Sequence, residues 1–194
     1  MLKQVSLTAI ALCASLAMTA QAGPIPYPNI GTPAPANSFT AEADGEIKAY
    51  FFATSAGHTS RIGLWADGVQ VGGYGLQNHS SSYGDSYSFG NVIAGASLVF
   101  ELQVLTTSGS WYSLASSNSD GLNHTYSTDW AGDGTVPAGT YIGFEDLPSL
   151  GDVDYNDHQF VFTNVKNTTV PEPFSLALFG LGVAALGFAR RRAV

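Results

Sequence analysis

Between Phe39 and Val165 the apolar side chains recur with a period of two, not 3.6. The clearest run is Ser97–Thr106, where Leu98, Phe100, Leu102 and Val104 alternate with Val99, Glu101, Gln103 and Leu105. Successive strand side chains point to opposite faces, so this pattern predicts one row inward and the other largely toward solvent. Glu46–Thr54 is rich in aromatics, lies between Asp44-Gly45 and Gly57, and reads as another strand. Arg61–Trp65 and Val69–Gly72 flank Ala66-Asp67-Gly68, where Asp-Gly supplies the positive φ angles of a hairpin turn. Trp111–Leu114 follows a Thr-Ser-Gly-Ser turn and is the expected hairpin partner of Ser97–Thr106. Thr140–Phe144 and Gln159–Val165 are expected as the last two strands, and Tyr83–Phe89 fits either a strand or an ordered loop. No segment in this range combines sustained helical periodicity with caps, and the chain's 22 glycines mark frequent turns. The pattern predicts an all-β chain: a single antiparallel β-sandwich or jelly-roll-like domain.

The two ends follow different rules. Residues 1–22 hold Lys3, an apolar run Val5–Met18 and the small residues Ala20 and Ala22 at a cleavage site, the anatomy of a secretory signal peptide. Residues 23–38 carry five of the nine prolines and read as an extended spacer, with the domain expected over 39–166. Residues 170–194 begin at Val170-Pro171-Glu172-Pro173, continue in the apolar run 174–189 and end with Arg190, Arg191 and Arg192 before two last residues. That run of 16 residues is slightly short of the roughly 17–25 that span a bilayer, but the basic cluster favours a single transmembrane helix with its arginines inside.

Composition narrows the partners. Between Gly23 and Val170 there are fourteen acidic residues against Lys48, Arg61 and Lys166, a formal net charge of −11. Such a surface opposes phosphate backbones, so nucleic acid is not an expected partner. The single cysteine, Cys13, lies in the signal segment, which leaves the domain without disulfide, thiol nucleophile or cysteine metal site.

Acidic residues concentrate in Gly143–Phe162. Glu145, Asp146, Asp152, Asp154 and Asp157 place five carboxylates within thirteen residues, and Asn156 adds an amide oxygen. Unneutralised, carboxylates this crowded repel one another. Asp152, Asp154 and Asn156 stand at i, i+2 and i+4, a spacing with which a tight loop turns oxygens toward one cation, and Ca2+ takes six to eight oxygens. The loop starts like an EF-hand but departs from it, with Asp157 at the glycine position and Thr163 at the closing glutamate position. Closure must therefore come from elsewhere: Glu145 and Asp146 are nearest, and Asp120, Asp129 and Asp133 are the next acids upstream.

Two resemblances follow from these residues. Pro171-Glu172-Pro173, the apolar run and the terminal arginines resemble the PEP-CTERM sorting signal. That resemblance implies export in an exopolysaccharide-producing bacterium, an inner-membrane intermediate held by the C-terminal helix, and processing by an exosortase-type enzyme. Phe144-Glu145-Asp146, the gap Pro148–Gly151, Asp152-Val153-Asp154-Tyr155-Asn156-Asp157 and Phe160-Val161-Phe162 resemble the DUF4114 domains of bacterial secreted and surface proteins. The motif suggests calcium binding, with no activity attached.

Competing chemistries have thinner support. His124 and His158 could join aspartates around zinc, but no His-x-x-x-His or cysteine pair accompanies them. Glu145 and Asp152 could serve as a glycosidase pair, although crowded ionised carboxylates suit a cation better than an acid held protonated. The expected reading is a non-enzymatic exported protein of the cell surface or extracellular matrix, stabilised by calcium and possessing no catalytic residues. A calcium-dependent carbohydrate-binding module, with exopolysaccharide as its partner, is the alternative, and a polysaccharide hydrolase the third.

Overall fold

The computed structural model describes residues 25–169. Eleven strands form two antiparallel sheets. The first has the order β11 (Val165–Thr169), β1 (Asn37–Ala41), β6 (Ser97–Val104), β3 (Ser60–Ala66) and β4 (Val69–Gly75), with β7 (Gly109–Tyr112) also paired to β6. The second has the order β5 (Ser86–Val92), β2 (Gly45–Ala53), β10 (His158–Thr163), β9 (Gly139–Phe144) and β8 (Thr125–Trp130). The chain is the β-sandwich that its alternation predicts.

The core lies where the two apolar rows meet. Phe39, Ile62, Leu64, Leu98, Phe100 and Leu102 of the first sheet face Ile47, Phe51, Ile142, Phe144, Phe160 and Phe162 of the second. At about 1.5–3 kcal/mol for each large apolar side chain buried, this interface is the main stabilising element of the fold. The Asp67-Gly68 turn has φ of 49° and 78°, the two positive values expected of the hairpin.

Three differences from the sequence reading matter for function. The residues expected as a spacer are a strap packed on the sandwich: Tyr27 and Ala34 are buried, and β1 begins within the segment at Asn37. Proline favours an extended chain, and here the extended chain found an aromatic surface to lie on. The expected strand Gln159–Val165 is broken at Asn164 (φ 62°), so that Val165–Thr169 crosses to pair with β1 and carries the sandwich past residue 166. Thr125–Trp130, not singled out by its pattern, is the edge strand beside β9. The second sheet also has a filled outer face, where Phe52, Tyr141 and Val161 pack with Val136, Tyr83 and Trp130. That second cluster explains why β10 is apolar on both sides and does not alternate.

Among the described residues no helix is long and apolar enough to cross a membrane. The signal residues Ala20 and Ala22, the Pro171-Glu172-Pro173 motif, the 174–189 helix and Arg190–Arg192 lie outside the described residues.

Candidate metal centre

The acidic loop joins β9 to β10, two neighbouring strands of the second sheet. Beyond Phe144 the chain stays in register with β8, because the Glu145 N–H donates to the His124 carbonyl at 3.0 Å. With the strand alternation preserved, Glu145 and Asp146 leave on opposite sides. This parity divides the six sequence candidates into two groups.

Glu145 is fully buried, and one carboxylate oxygen accepts the backbone N–H groups of Asp154 (2.7 Å) and Tyr155 (2.5 Å). Those amides converge because the loop alternates in hand: Gly151, Val153 and Tyr155 have φ of 55°, 60° and 55°, while Asp152 and Asp154 between them do not. Alternating backbone of this kind makes a concavity lined by N–H groups that holds an anion. A left-handed residue costs roughly 1–2 kcal/mol when it is not glycine, and β-branched Val153 is a genuine outlier. The loop therefore keeps a conformation that its own residues disfavour. Gly143 makes room for it: a Cβ there would stand 2.2 Å from the Tyr155 carbonyl oxygen.

The other Glu145 oxygen, Oε2, is buried without any hydrogen-bond partner. Carboxylate oxygens of Glu145, Asp152 and Asp154 lie within 4.8 Å of one another. Cation–oxygen bonds of about 2.3–2.6 Å reach ligands up to about 5 Å apart, so one Ca2+ fits between the three. Burial pushes the Glu145 carboxyl up to about 8, with Asp157 and Asp152 adding to the shift against its two backbone donors. Burial raises Asp154 as well, with Asp152 contributing. The all-oxygen donor set and the mixture of buried and exposed carboxylates suit a hard cation.

The remaining candidates are held differently, and Asp146 Oδ2 is also buried without a hydrogen-bond partner. The Asn156 side-chain amide donates to the Asp154 carboxylate and so orients it, while its Oδ1 has no hydrogen-bond partner among the described residues. Asp146 and Asp157 are not part of the triad. The Asp157 carboxylate accepts the Asp146 N–H at 2.9 Å, and burial raises both carboxyls. None of the upstream acids closes the site. Asp120 bonds His124 and the Ser149 N–H (3.0 Å each), and Asp133 accepts from Tyr83 and two backbone amides, while Asp129 is exposed on β8.

The two histidines considered for zinc sit in separate environments. His124 stacks on Trp111 with ring centroids 3.9 Å apart and bonds Asp120 and the Glu145 carbonyl. His158 packs against Phe51 and Phe160 with both ring nitrogens unpartnered, and burial pushes its imidazole down to about 3. Neither joins a three-residue cluster of metal-binding side chains among the described residues.

Sequence reasoning did not find Tyr155. Its side chain is 1 % exposed, and its hydroxyl accepts the Ala34 N–H (2.8 Å) and donates to the Asn123 carbonyl (3.2 Å). The Gly31 N–H donates to the Val153 carbonyl beside it, and Tyr27 and Tyr126 complete an aromatic cluster. The second and fourth residues of Asp-Val-Asp-Tyr-Asn, Val153 and Tyr155, are thus the strap's anchors. The alternation that aims the acids one way was the available signal.

The PEP-CTERM protein-sorting motif matches residues 169–193 and makes this an exported, membrane-transiting chain sorted by an exosortase-type system. Comparisons with curated proteins and with solved structures returned no match. The family model described as a domain of unknown function, DUF4114, matches residues 55–164, from the end of β2 through the whole acidic loop, and the chain belongs to that family.

Proposed function

We propose that this is a non-catalytic protein of the bacterial surface or extracellular matrix whose β-sandwich is completed by a calcium ion bound to Glu145, Asp152 and Asp154. The observation that carries the reading is the buried Glu145 carboxylate, which keeps Oε2 unpartnered and stands within 4.8 Å of the carboxylates of Asp152 and Asp154. A buried charge without a partner is strongly destabilising, and a cation supplies what the fold leaves out. Calcium would cancel the loop charge and supply an attraction that offsets the cost of the left-handed residues. Through Val153 and Tyr155 the same ion would hold the strap against the second sheet. Extracellular calcium modules work at about 10⁻⁴–10⁻³ M, so the domain would become rigid after export.

The same geometry supports the non-catalytic reading. Glu145 is buried and fixed by two backbone amides, a setting that suits a held carboxylate better than a general acid that exchanges protons with a substrate. The test is thermal unfolding in millimolar calcium against chelator. A calcium-dependent rise in the midpoint is expected, and an unchanged midpoint would sink the proposal. Turnover of exopolysaccharide that disappears in Glu145→Gln would overturn the non-catalytic reading.

A further inference from the structure

A pocket of about 350 Å3 opens directly beside the carboxylate triad. Ile25, Pro26 and Ile30 of the strap form one side, and Ser55, Asp154 and Asn156 form the other. Asp154 belongs to both the triad and the pocket wall. A cation held by the triad would thus have one of its ligands, Asp154, in common with the pocket wall. Three carboxylates leave several of calcium's six to eight coordination positions to other oxygens.

The polar wall has a definite donor and acceptor character. Thr54 and Gln159 also line it, but both are committed internally. The Thr54 hydroxyl donates to the Asp157 carbonyl, and the Gln159 amide bonds the Asn156 carbonyl and the Tyr141 hydroxyl. The Ser55 hydroxyl and the Asn156 Oδ1 have no hydrogen-bond partner among the described residues, and the Asp154 carboxylate accepts only from Asn156. The groups left for a ligand are thus acceptors and one hydroxyl. No cationic side chain lines the pocket, and the domain's net charge of −11 repels anions.

We propose that this pocket binds the end of a neutral saccharide through calcium, with a vicinal diol bridging the ion and the Asp154 and Asn156 oxygens. The inference rests on the calcium reading of the triad. A diol satisfies both requirements together: its oxygens fill coordination positions, and its hydrogens go to the Asn156 Oδ1 and to the remaining acceptor capacity of the Asp154 carboxylate. Ile25, Pro26 and Ile30 offer an apolar wall to the C–H face of the ring, and Ile30 is 66 % exposed at the mouth. The volume is near the lower limit for ligand pockets, roughly 300–1,000 Å3, and suits a terminal sugar unit better than a long chain.

The experiment titrates the full chain with the methyl glycosides of mannose, glucose, galactose and fucose by ligand-observed NMR, in calcium and in EDTA, with a thermal melt of each sample. At least one glycoside is expected to bind in calcium and to weaken by about tenfold or more in EDTA. Ser55→Trp, which fills the pocket from an exposed position, should abolish binding while the calcium-dependent melting shift persists. Ile30→Gln repeats the test at the mouth and should weaken binding several-fold. If calcium raises the midpoint but no glycoside binds, or binding ignores EDTA, the saccharide proposal is overturned and the ion site stands. If calcium leaves the midpoint unchanged, the ion reading fails and this inference with it. Equal or tighter binding of methyl glucuronide would overturn the preference for a neutral ligand.

Discussion

Two glutamates are buried in this sandwich, and they are satisfied in different ways. Glu101, on β6, is 3 % exposed and surrounded by side-chain donors: Trp65 Nε1 at 2.7 Å, the Tyr74 hydroxyl at 2.9 Å and the Ser110 hydroxyl at 2.6 Å. Both of its oxygens are occupied. Glu145 is 0 % exposed, and only one of its oxygens is occupied. The difference separates a structural carboxylate from one with a vacancy. Glu101 needs nothing beyond the chain, and its donors hold β3, β4 and β7 onto β6. Glu145 is fixed just as firmly, but by backbone amides on one oxygen, which leaves Oε2 unpartnered on a carboxylate within 4.8 Å of those of Asp152 and Asp154. Burial alone does not mark a functional group. Incomplete satisfaction of a buried group does.

The largest effect that could break this contrast is the response to calcium. At a free concentration a hundredfold above Kd, binding adds about 2.7 kcal/mol, on the order of 10 °C in midpoint for a domain of this size. Glu145→Gln is expected to abolish that shift and to leave the melt in chelator close to that of the unaltered protein, because the amide oxygen still accepts from the loop. Differential scanning calorimetry of both proteins, with and without EDTA, reads this directly. A full calcium shift in Glu145→Gln would remove the distinction between the two glutamates.

The pH dependence of the metal-free protein comes next. The Glu145 carboxyl is raised in the folded state to about 8 from an ordinary value of 4.5, so the folded protein binds more protons than the unfolded chain between those values. This carboxyl therefore makes stability in EDTA fall as pH rises through that window, and Asp157, also raised by burial, acts in the same direction. Below about 6.5 both are opposed by His158, whose imidazole burial pushes down to about 3. Calcium reverses the preference by favouring the ionised carboxylate, so the slope should flatten or invert in its presence. Urea midpoints from pH 6.5 to pH 8, above the range where His158 opposes the trend, give the comparison in both conditions, and a metal-free protein that gains stability there would contradict it.

Glu101→Gln is the matching control on the satisfied side. Losing the charge weakens two or three charge-assisted hydrogen bonds and exchanges one acceptor for a donor facing Ser110, Trp65 or Tyr74. A loss of about 2 kcal/mol is expected, the same in calcium and in chelator. A calcium-dependent loss would mean that the first sheet communicates with the loop.

What the sequence disclosed follows the same division. Strand alternation was legible wherever one face meets the core and the other meets water, as in β6 and in the Asp67-Gly68 hairpin. It failed where both faces are covered, as at β10, and where covering comes from residues distant in sequence. Glu101 stands at a position that reads as solvent-facing, and only the folded arrangement of Trp65, Tyr74 and Ser110 shows why it is buried. The acidic loop was legible as a carboxylate cluster because its acids are close in sequence. Which three converge was not legible, because that depends on the side of the strand from which Glu145 and Asp146 depart. The strap was misread for a related reason: proline content reports extension and is silent about what an extended segment lies against.

The smallest expected effect tests the connection between the loop and the strap. Tyr155→Phe keeps the backbone N–H that Glu145 accepts and keeps the ring packed against Tyr27, but removes the hydroxyl between Ala34 and Asn123. The buried Ala34 N–H then loses its acceptor, at a cost of about 1 kcal/mol. If calcium stabilises the loop independently of the strap, the calcium shift of this variant should equal that of the unaltered protein. If the two are one cooperative unit, the shift should shrink, and amide exchange at Ala34 should become insensitive to calcium while remaining sensitive in the unaltered protein. The hydrogen bonds at Val153 and Tyr155 favour the second outcome, since both anchors of the strap lie in the segment whose backbone encloses the Glu145 carboxylate.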